Sequence, residues 1–143
     1  MLGAFLAKKA AREAFAAMNR HDLDSFMAAW GEDPVFEFPG TSILGGHHRG
    51  RSEIQAWFQR WWDRFPTTTF ALQAVSVDNI LAMGGTNTIH VEWVLDETDR
   101  DGRSFHLTGV SSLRARGGKV VHVKDYIFDP DVIAEAWAGV EAK

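Results

Sequence analysis

Residues 104–128, SFHLTGVSSLRARGGKVVHVKDYIF, carry the pattern that decides the fold. Apolar and polar side chains alternate along 104–116 and again along 119–128, which is the two-residue period of a β-strand. Gly117 and Gly118 separate the two stretches, and adjacent glycines suit a tight hairpin turn. The sequence therefore predicts two long antiparallel strands joined by a short turn.

The same strand period extends upstream to residue 67. It predicts two further strands, over 68–83 and 88–97. The connections are short and rich in turn residues: GGTN at 84–87, and a charged turn at 99–102. Because short connections join neighbouring antiparallel strands, the four strands are expected to form one antiparallel meander.

The first half of the chain predicts helices. Residues 2–19, 23–30 and 52–65 each place apolar side chains three and four positions apart, which gives each segment one apolar helical face. Asp22 is placed to cap the second helix, and Ser52 to cap the third.

Three shorter segments complete the predicted order of elements. Residues 34–39 indicate a short strand, and the glycine-rich stretch 40–51 indicates a mobile loop. Asp129 followed by Pro130 is typical of the start of a helix, here a short C-terminal one.

Composition restricts the function classes. The 143 residues suit a single domain, 1–143, with 45% hydrophobic and 24% charged residues. A net charge of −4 without a basic stripe argues against nucleic-acid binding, and no apolar stretch approaches membrane-spanning length. The N-terminus does not resemble a signal peptide, so the cytoplasm is the default location. The absence of cysteine excludes disulfides and thiolate chemistry.

The order of elements defines the fold class. Helices followed by an antiparallel meander indicate an α+β domain. We expect a curved antiparallel sheet that forms a cone, packed on three N-terminal helices, with a short C-terminal helix. Because the helices cover one face of such a sheet, its other face stays open, and we expect a homodimer through that face.

Six short motifs, spread between about residues 10 and 137, carry a family resemblance. They are MNRHDLDSF (18–26), FEFPG (36–40), GRSEI (50–54), DGR (101–103), TGVS (108–111) and GKVVHVKDY (118–126). Together they resemble SnoaL-like proteins of the nuclear-transport-factor-2-like superfamily, which includes polyketide cyclases, ketosteroid isomerases, limonene-epoxide hydrolase and scytalone dehydratase. The resemblance implies the cone fold, but this one fold hosts many reactions and also non-enzymes.

Asp125 is the first catalytic candidate. In polyketide cyclases and limonene-epoxide hydrolase, a similar Asp-Tyr pair on the last long strand supplies an acid/base aspartate that points into the cone, and Asp125-Tyr126 matches it. Burial in an apolar cavity would raise the pKa of this carboxyl and allow proton exchange near neutral pH. The alternative is an aspartate at a strand end that caps a backbone group.

His90 and Glu92 are the next catalytic candidates. They lie two residues apart on one strand and therefore share a face. The resemblance places them near the Arg-x-Asp pair of the epoxide hydrolase, where His90 between Glu92 and Asp125 would form an acid/base relay. However, if the alternating apolar set that begins with Ile89 lines the cone, His90 and Glu92 face outward. The sequence leaves both orientations open.

Glu37 is the fourth catalytic candidate, near the position of a water-holding asparagine in the epoxide hydrolase. Ketosteroid isomerases carry their base directly before the proline, where this chain has Phe38, and the single tyrosine, Tyr126, is not on the first helix. Isomerisation of ketosteroids is therefore not expected. The adjacent His47 and His48 have no carboxylate at ligand spacing, so no metal site is expected.

Aromatic residues are unusually abundant, with 6 Trp and 10 Phe against a single Tyr. Most should pack the core, while some line the cavity. The candidates for substrate binding are Trp30, Phe38, Trp57, Phe58 and Trp61. The leading hypothesis is an acid/base enzyme without a cofactor, of isomerase, cyclase, hydrolase or lyase type, acting on a small hydrophobic or polycyclic molecule. The alternatives are a non-catalytic protein that binds a small hydrophobic molecule, and an interaction module.

Overall fold

The computed structural model describes residues 2–42, 44–81 and 85–140. The helices and strands, in chain order, are α1 (Leu2–Asn19), α2 (Leu23–Ala28), β1 (Trp30–Phe38), β2 (Gly46–Arg49), α3 (Arg51–Arg64), β3 (Thr67–Val77), β4 (Thr86–Thr98), β5 (Ser104–Arg116), β6 (Lys119–Ile127) and α4 (Pro130–Ala136). No helix in these ranges is long and apolar enough to cross a membrane.

The strands form one curved, open sheet in the order β2-β1-β6-β5-β4-β3. Strands β3 to β6 form the predicted antiparallel meander, with antiparallel pairing at each step. Strand β1 joins the sheet by parallel pairing with β6, and β2 pairs antiparallel with β1. The predicted α+β fold, with helices at the N-terminus and a short helix at the C-terminus, is confirmed.

Side-chain hydrogen bonds at the helix starts differ partly from the predictions. Asp22 caps α2 as predicted, since its carboxylate accepts the Ser25 N–H at 3.1 Å. Ser52 is not the cap of α3, because this helix already begins at Arg51 and its N-cap is Gly50. Asp129 is the N-cap residue of α4 as predicted, but its side chain makes no capping bond. Its carboxylate instead accepts the backbone N–H and the hydroxyl of Thr108, which ties the start of α4 to β5.

Some element boundaries also differ. The second helix stops at Ala28, and Trp30 begins β1 rather than ending the helix. The predicted loop over 40–51 contains β2, which pairs with β1 but has only four residues and no apolar alternation to mark it as a strand. The strand predicted to reach residue 83 ends at Val77, and residues 82–84 lie outside the described residues.

The core lies between the helices and the inner, concave face of the sheet. Helix α3 contributes four buried aromatic side chains, those of Trp57, Phe58, Trp61 and Trp62. The apolar faces of the helices pack against the apolar side chains of strands β3 to β6. The largest buried aromatic side chains of this cluster are Phe15, Phe26, Trp30, Phe36, Trp57, Phe58, Trp61, Trp62, Phe65, Trp93, Phe105 and Trp137. A wall built from such large, flat rings does not fill a cone completely, and a cavity remains.

Candidate active site

The cavity between the helices and the sheet has a volume of about 90 Å³, enough for several water molecules. Its walls come from all four described helices or the segments next to them and from every described strand except β2. Among the described residues that line it, only Glu97, Ser111 and Asp125 carry a carboxyl or hydroxyl group. The site is therefore an apolar chamber with few polar groups.

Strand alternation turns Asp125 into this chamber. Val123, Asp125 and Ile127 line the cavity, whereas Lys124 and Tyr126 point to the outer face and are exposed. Asp125 is partly buried, and it also lines a shallower groove beside Tyr126 and Pro39. Its carboxyl thus lies where the interior meets the outside of the protein.

A short hydrogen-bond chain holds Asp125. The Trp93 Nε1–H donates to Ser111 Oγ at 2.9 Å, and the Ser111 hydroxyl donates to Asp125 Oδ1 at 2.6 Å. Burial raises the pKa of Asp125 to about 7, although the Ser111 hydrogen bond lowers it in part. The second carboxyl oxygen makes no hydrogen bond within the described part of the chain. At neutral pH this carboxyl can therefore both take and give a proton.

Gly109 makes room for the indole that anchors this chain. It pairs with Trp93 across the strands, and a Cβ built on it would lie 2.7 Å from two carbons of the Trp93 ring and 2.6 Å from the Tyr126 carbonyl oxygen. No larger residue fits there without moving the ring or the backbone. The TGVS motif thus supports the site through packing as well as through its serine.

Gly109→Ala is expected to destabilise the protein by about 1–3 kcal/mol, the usual cost of overpacking. The displaced indole should also weaken the bond to Ser111, which urea denaturation and the tryptophan fluorescence spectrum would detect together. Gly31→Ala is the matched control, because a Cβ there would meet its nearest atoms at 3.4 Å. Equal losses of stability in the two variants would contradict this account of Gly109.

Glu97 is a second carboxyl in the same cavity, and the sequence analysis did not single it out. Trp93, Leu95 and Glu97 line one face of β4, and Glu97 is only 4% exposed. Its Oε2 accepts the Trp61 Nε1–H at 2.8 Å. Burial raises the pKa of Glu97 to about 7 against the lowering effect of that hydrogen bond. The sequence did contain a signal for Glu97. It continues, at two-residue spacing, the apolar set that includes Trp93 and Leu95.

Of the two orientations that the sequence left open for His90 and Glu92, the structure has the outward one, so these two catalytic candidates do not reach the cavity. Both side chains are exposed on the outer face of the sheet, because the set that begins with Ile89 and includes Val91 faces the helices. The predicted relay with Asp125 is therefore absent, and Ser111 takes the place of the expected partner.

Glu37, the fourth catalytic candidate, also lies outside the cavity wall. Phe36 and Phe38 point inward, so Glu37 between them points outward. Its carboxylate binds His122 Nε2 at 2.6 Å and lies 3.3 Å from His47 Nε2, at the edge of the shallow groove. This cluster belongs to the outer surface.

The five aromatic residues proposed for substrate binding all line the cavity: Trp30, Phe38, Trp57, Phe58 and Trp61. Two of their indole N–H groups are already used within the protein, since Trp57 donates to the Leu44 carbonyl at 3.0 Å and Trp61 donates to Glu97. These walls therefore offer a ligand apolar surface. Their contact with a substrate stays a prediction.

Comparison with known proteins agrees with the fold. The chain is 25% identical over 131 residues to the uncharacterized protein YesE of Bacillus subtilis (strain 168), covering 90% of this chain and 84% of YesE. The structure of Bal32a, from a soil-derived mobile gene cassette, superposes with a TM-score of 0.83 at 21% identity, covering 94% of this chain and 98% of Bal32a.

A third protein is similar in structure and was solved with a ligand. RV0760c of Mycobacterium tuberculosis, in complex with estradiol-17beta-hemisuccinate, gives a TM-score of 0.70 at 20% identity, over 85% of this chain and 92% of that one. At such identities the likeness shows the fold alone. The family model of the SnoaL-like domain, however, matches residues 11–123. The chain therefore belongs to the SnoaL-like domain family and has its nuclear-transport-factor-2-like fold.

Proposed function

We propose that this protein is a cofactor-independent acid/base enzyme that acts on a small hydrophobic substrate, with Asp125 as the group that exchanges the proton. One observation carries the proposal: a carboxyl in an apolar chamber has one oxygen held by Ser111 and the other without a partner among the described residues, and its pKa is about 7. The family includes cyclases and isomerases, which supports chemistry of this type.

The arrangement suits proton transfer next to a carbonyl group. The Asp125 carboxylate takes a proton from the carbon beside the carbonyl, the C–H electron pair forms the enolate, and the acid returns the proton to carbon or oxygen. Ser111 keeps its own proton throughout, because it donates to Oδ1 and accepts from Trp93. The apolar walls lower the polarity around the carboxyl, which strengthens its electrostatic interactions.

The steroid ester bound to RV0760c supports a ring-shaped, apolar substrate. The test uses 2-tetralone, a bicyclic ketone with an acidic C–H, and styrene oxide, which reports activation of water instead. We expect the protein to accelerate deuterium uptake by 2-tetralone in D₂O, followed by NMR, with a rate that rises with pH through about 7 and then levels off. Saturable binding of both probes with no acceleration of either reaction would contradict an enzyme and favour a binding protein.

Ser111→Ala is expected to move the midpoint of this pH profile upward. The hydroxyl stabilises the charged form of Asp125, so its loss leaves burial unopposed and raises the pKa of that carboxyl further. A hydrogen bond to a charged group contributes about 1.5–3 kcal/mol, which corresponds to roughly one to two pH units. Ser112→Ala, on the outer side of the same strand, should leave the midpoint in place. An unmoved midpoint in Ser111→Ala would show that this hydroxyl does not tune Asp125.

The second candidate is a non-catalytic protein that binds a small hydrophobic molecule. The exposed positions of His90 and Glu92 favour it, because they remove the relay that would have accompanied Asp125. In that case Asp125 would serve as a hydrogen-bond partner for the ligand. Its replacement would change the affinity for the ligand, and the wild-type protein would show no catalytic rate.

A further inference from the structure

The proposed proton transfer leaves Glu97 without a role, although this carboxyl lines the same cavity as Asp125. Strand register separates the two groups. Asp125 pairs with Ser111, and Ser111 pairs with Val91, six residues before Glu97 on β4. At about 3.3 Å per residue, Val91 and Glu97 lie about 20 Å apart along the strand. The chamber therefore has one carboxyl near its groove side and another toward its far end.

Within the ranges that the structure describes, Glu97 has no ion pair to explain its burial. The nearby arginines pair with Asp99 instead, Arg103 at 2.8 Å and Arg64 at 3.7 Å. Within the described residues, the only hydrogen bond to the Glu97 carboxyl comes from Trp61, and it reaches Oε2. Oε1 accepts no hydrogen bond from any residue that the structure describes. Placing a carboxyl among apolar side chains costs free energy unless its oxygens are satisfied.

The neighbours of Glu97 on β4 indicate that packing alone would favour an apolar residue at position 97. Leu95 and Trp93 lie on the same face of β4 and are buried without any carboxyl. A glutamate that is 4% exposed and bonded through one oxygen leaves the second oxygen for a molecule inside the chamber. Trp61 fixes the orientation of the group, as a binding site requires.

We propose that Glu97 is a second recognition point, so that the ligand is an elongated apolar molecule with an oxygen-bearing group at each end. One hydroxyl or carbonyl meets Asp125 and the other meets Oε1 of Glu97. The proposal rests on the proposed function only in taking Asp125 as the reacting end. A neutral carboxylic acid can donate to a carbonyl or accept from a hydroxyl, and the pKa of about 7 keeps much of Glu97 neutral at neutral pH.

Calorimetric titrations with 4,4″-dihydroxy-p-terphenyl and 4-hydroxy-p-terphenyl test this proposal, because a body of three rings is needed to reach across the separation of about 20 Å along the strand. The two probes share one apolar body and differ by a single terminal hydroxyl. We expect the wild-type protein to bind the diol about tenfold more tightly, since one further buried hydrogen bond to a carboxyl contributes about 1.4 kcal/mol. Glu97→Met should reduce this ratio to about one. The affinity for the monohydroxyl probe should stay within about twofold, because that probe can still use Asp125.

Two controls keep the result interpretable. Glu97→Gln retains an oxygen for Trp61 and hydrogen-bonding groups for the ligand, so it should preserve most of the tenfold ratio. In the wild-type protein, where folding is not in question, the diol should shift the ¹³C resonance of the Glu97 carboxyl. A ratio that survives in Glu97→Met, an unshifted Glu97 resonance, or no saturable binding of either probe would overturn the proposal. Failure of the acid/base proposal would appear separately, as absent exchange of 2-tetralone with the diol preference intact.

Discussion

Asp125→Asn is expected to slow deuterium exchange into 2-tetralone by about 10²- to 10⁴-fold, the usual contribution of a positioned acid or base. Asparagine has nearly the same shape, and its amide oxygen can still accept the Ser111 hydroxyl that now meets Oδ1 at 2.6 Å. The amide cannot take up a proton, however. The dissociation constant for 2-tetralone should therefore stay within about twofold while the rate collapses, and the residual rate should lose its pH dependence near 7.

Glu92→Gln is the matched control for this loss. Glu92 is also a strand carboxylate, but it is exposed on the outer face of the sheet. Its replacement should leave both the rate and the affinity unchanged. Equal losses in the two variants, or a full rate in Asp125→Asn, would remove Asp125 from the mechanism and leave a binding function as the better explanation.

The inward position of Asp125 was predictable because local sequence and burial agree on β6. Val123 and Ile127 flank the aspartate at two-residue spacing, and the Asp-Tyr pair matched the family motif. The meander was predictable for a similar reason, since each turn lies between two long alternating segments. These features depend on residues close together in the chain.

The orientation of β4 was not predictable, because alternation identifies two faces without saying which one meets the helices. In the structure the apolar face of β4 meets the helices. Val91 is 0% and Trp93 3% exposed, while the alternate residues His90 and Glu92 are exposed to solvent. Hydrophobic burial of two such side chains outweighs any gain from placing a histidine and a glutamate in an apolar chamber.

The second carboxyl and its partner depend on contacts between distant parts of the chain. Trp61 and Glu97 are separated by 36 residues. A local sequence pattern cannot pair two residues so far apart in the chain. Glu97 follows an alternating apolar set but lies just before a charged turn, so the sequence pattern alone is compatible with a buried or an exposed side chain. Likewise, the parallel pairing of β1 with β6 brings together segments from opposite ends of the chain. Tertiary packing alone creates such sites.

The stability of the protein is expected to fall as pH rises from about 4.5 to about 7, because of Glu97. Its pKa is raised from an ordinary value of 4.5 to about 7 in the folded state. Below pH 4.5 the carboxyl is neutral in both states, so the stabilising preference for the neutral form is fully present. Between these pH values unfolding releases a proton, and stability declines until the folded form ionises as well. The total effect is about 3 kcal/mol.

Asp125 adds a change of the same sign, since burial raises its pKa from 3.8 to about 7, but its partial exposure makes the contribution smaller. Urea denaturation of the wild type and of Glu97→Gln at pH 5 and pH 8 isolates the Glu97 effect. The amide carries no charge at either pH, so the variant should gain about 2.5 kcal/mol relative to the wild type between pH 5 and pH 8. Asp96→Asn, which replaces a carboxylate that is 70% exposed, should instead track the wild type. If the Glu97→Gln and wild-type stabilities changed in parallel, Glu97 would titrate in the folded protein as it does in the unfolded chain. The cavity would then hold a hydrated carboxylate rather than a neutral acid, and Glu97 could not donate a hydrogen bond to a ligand.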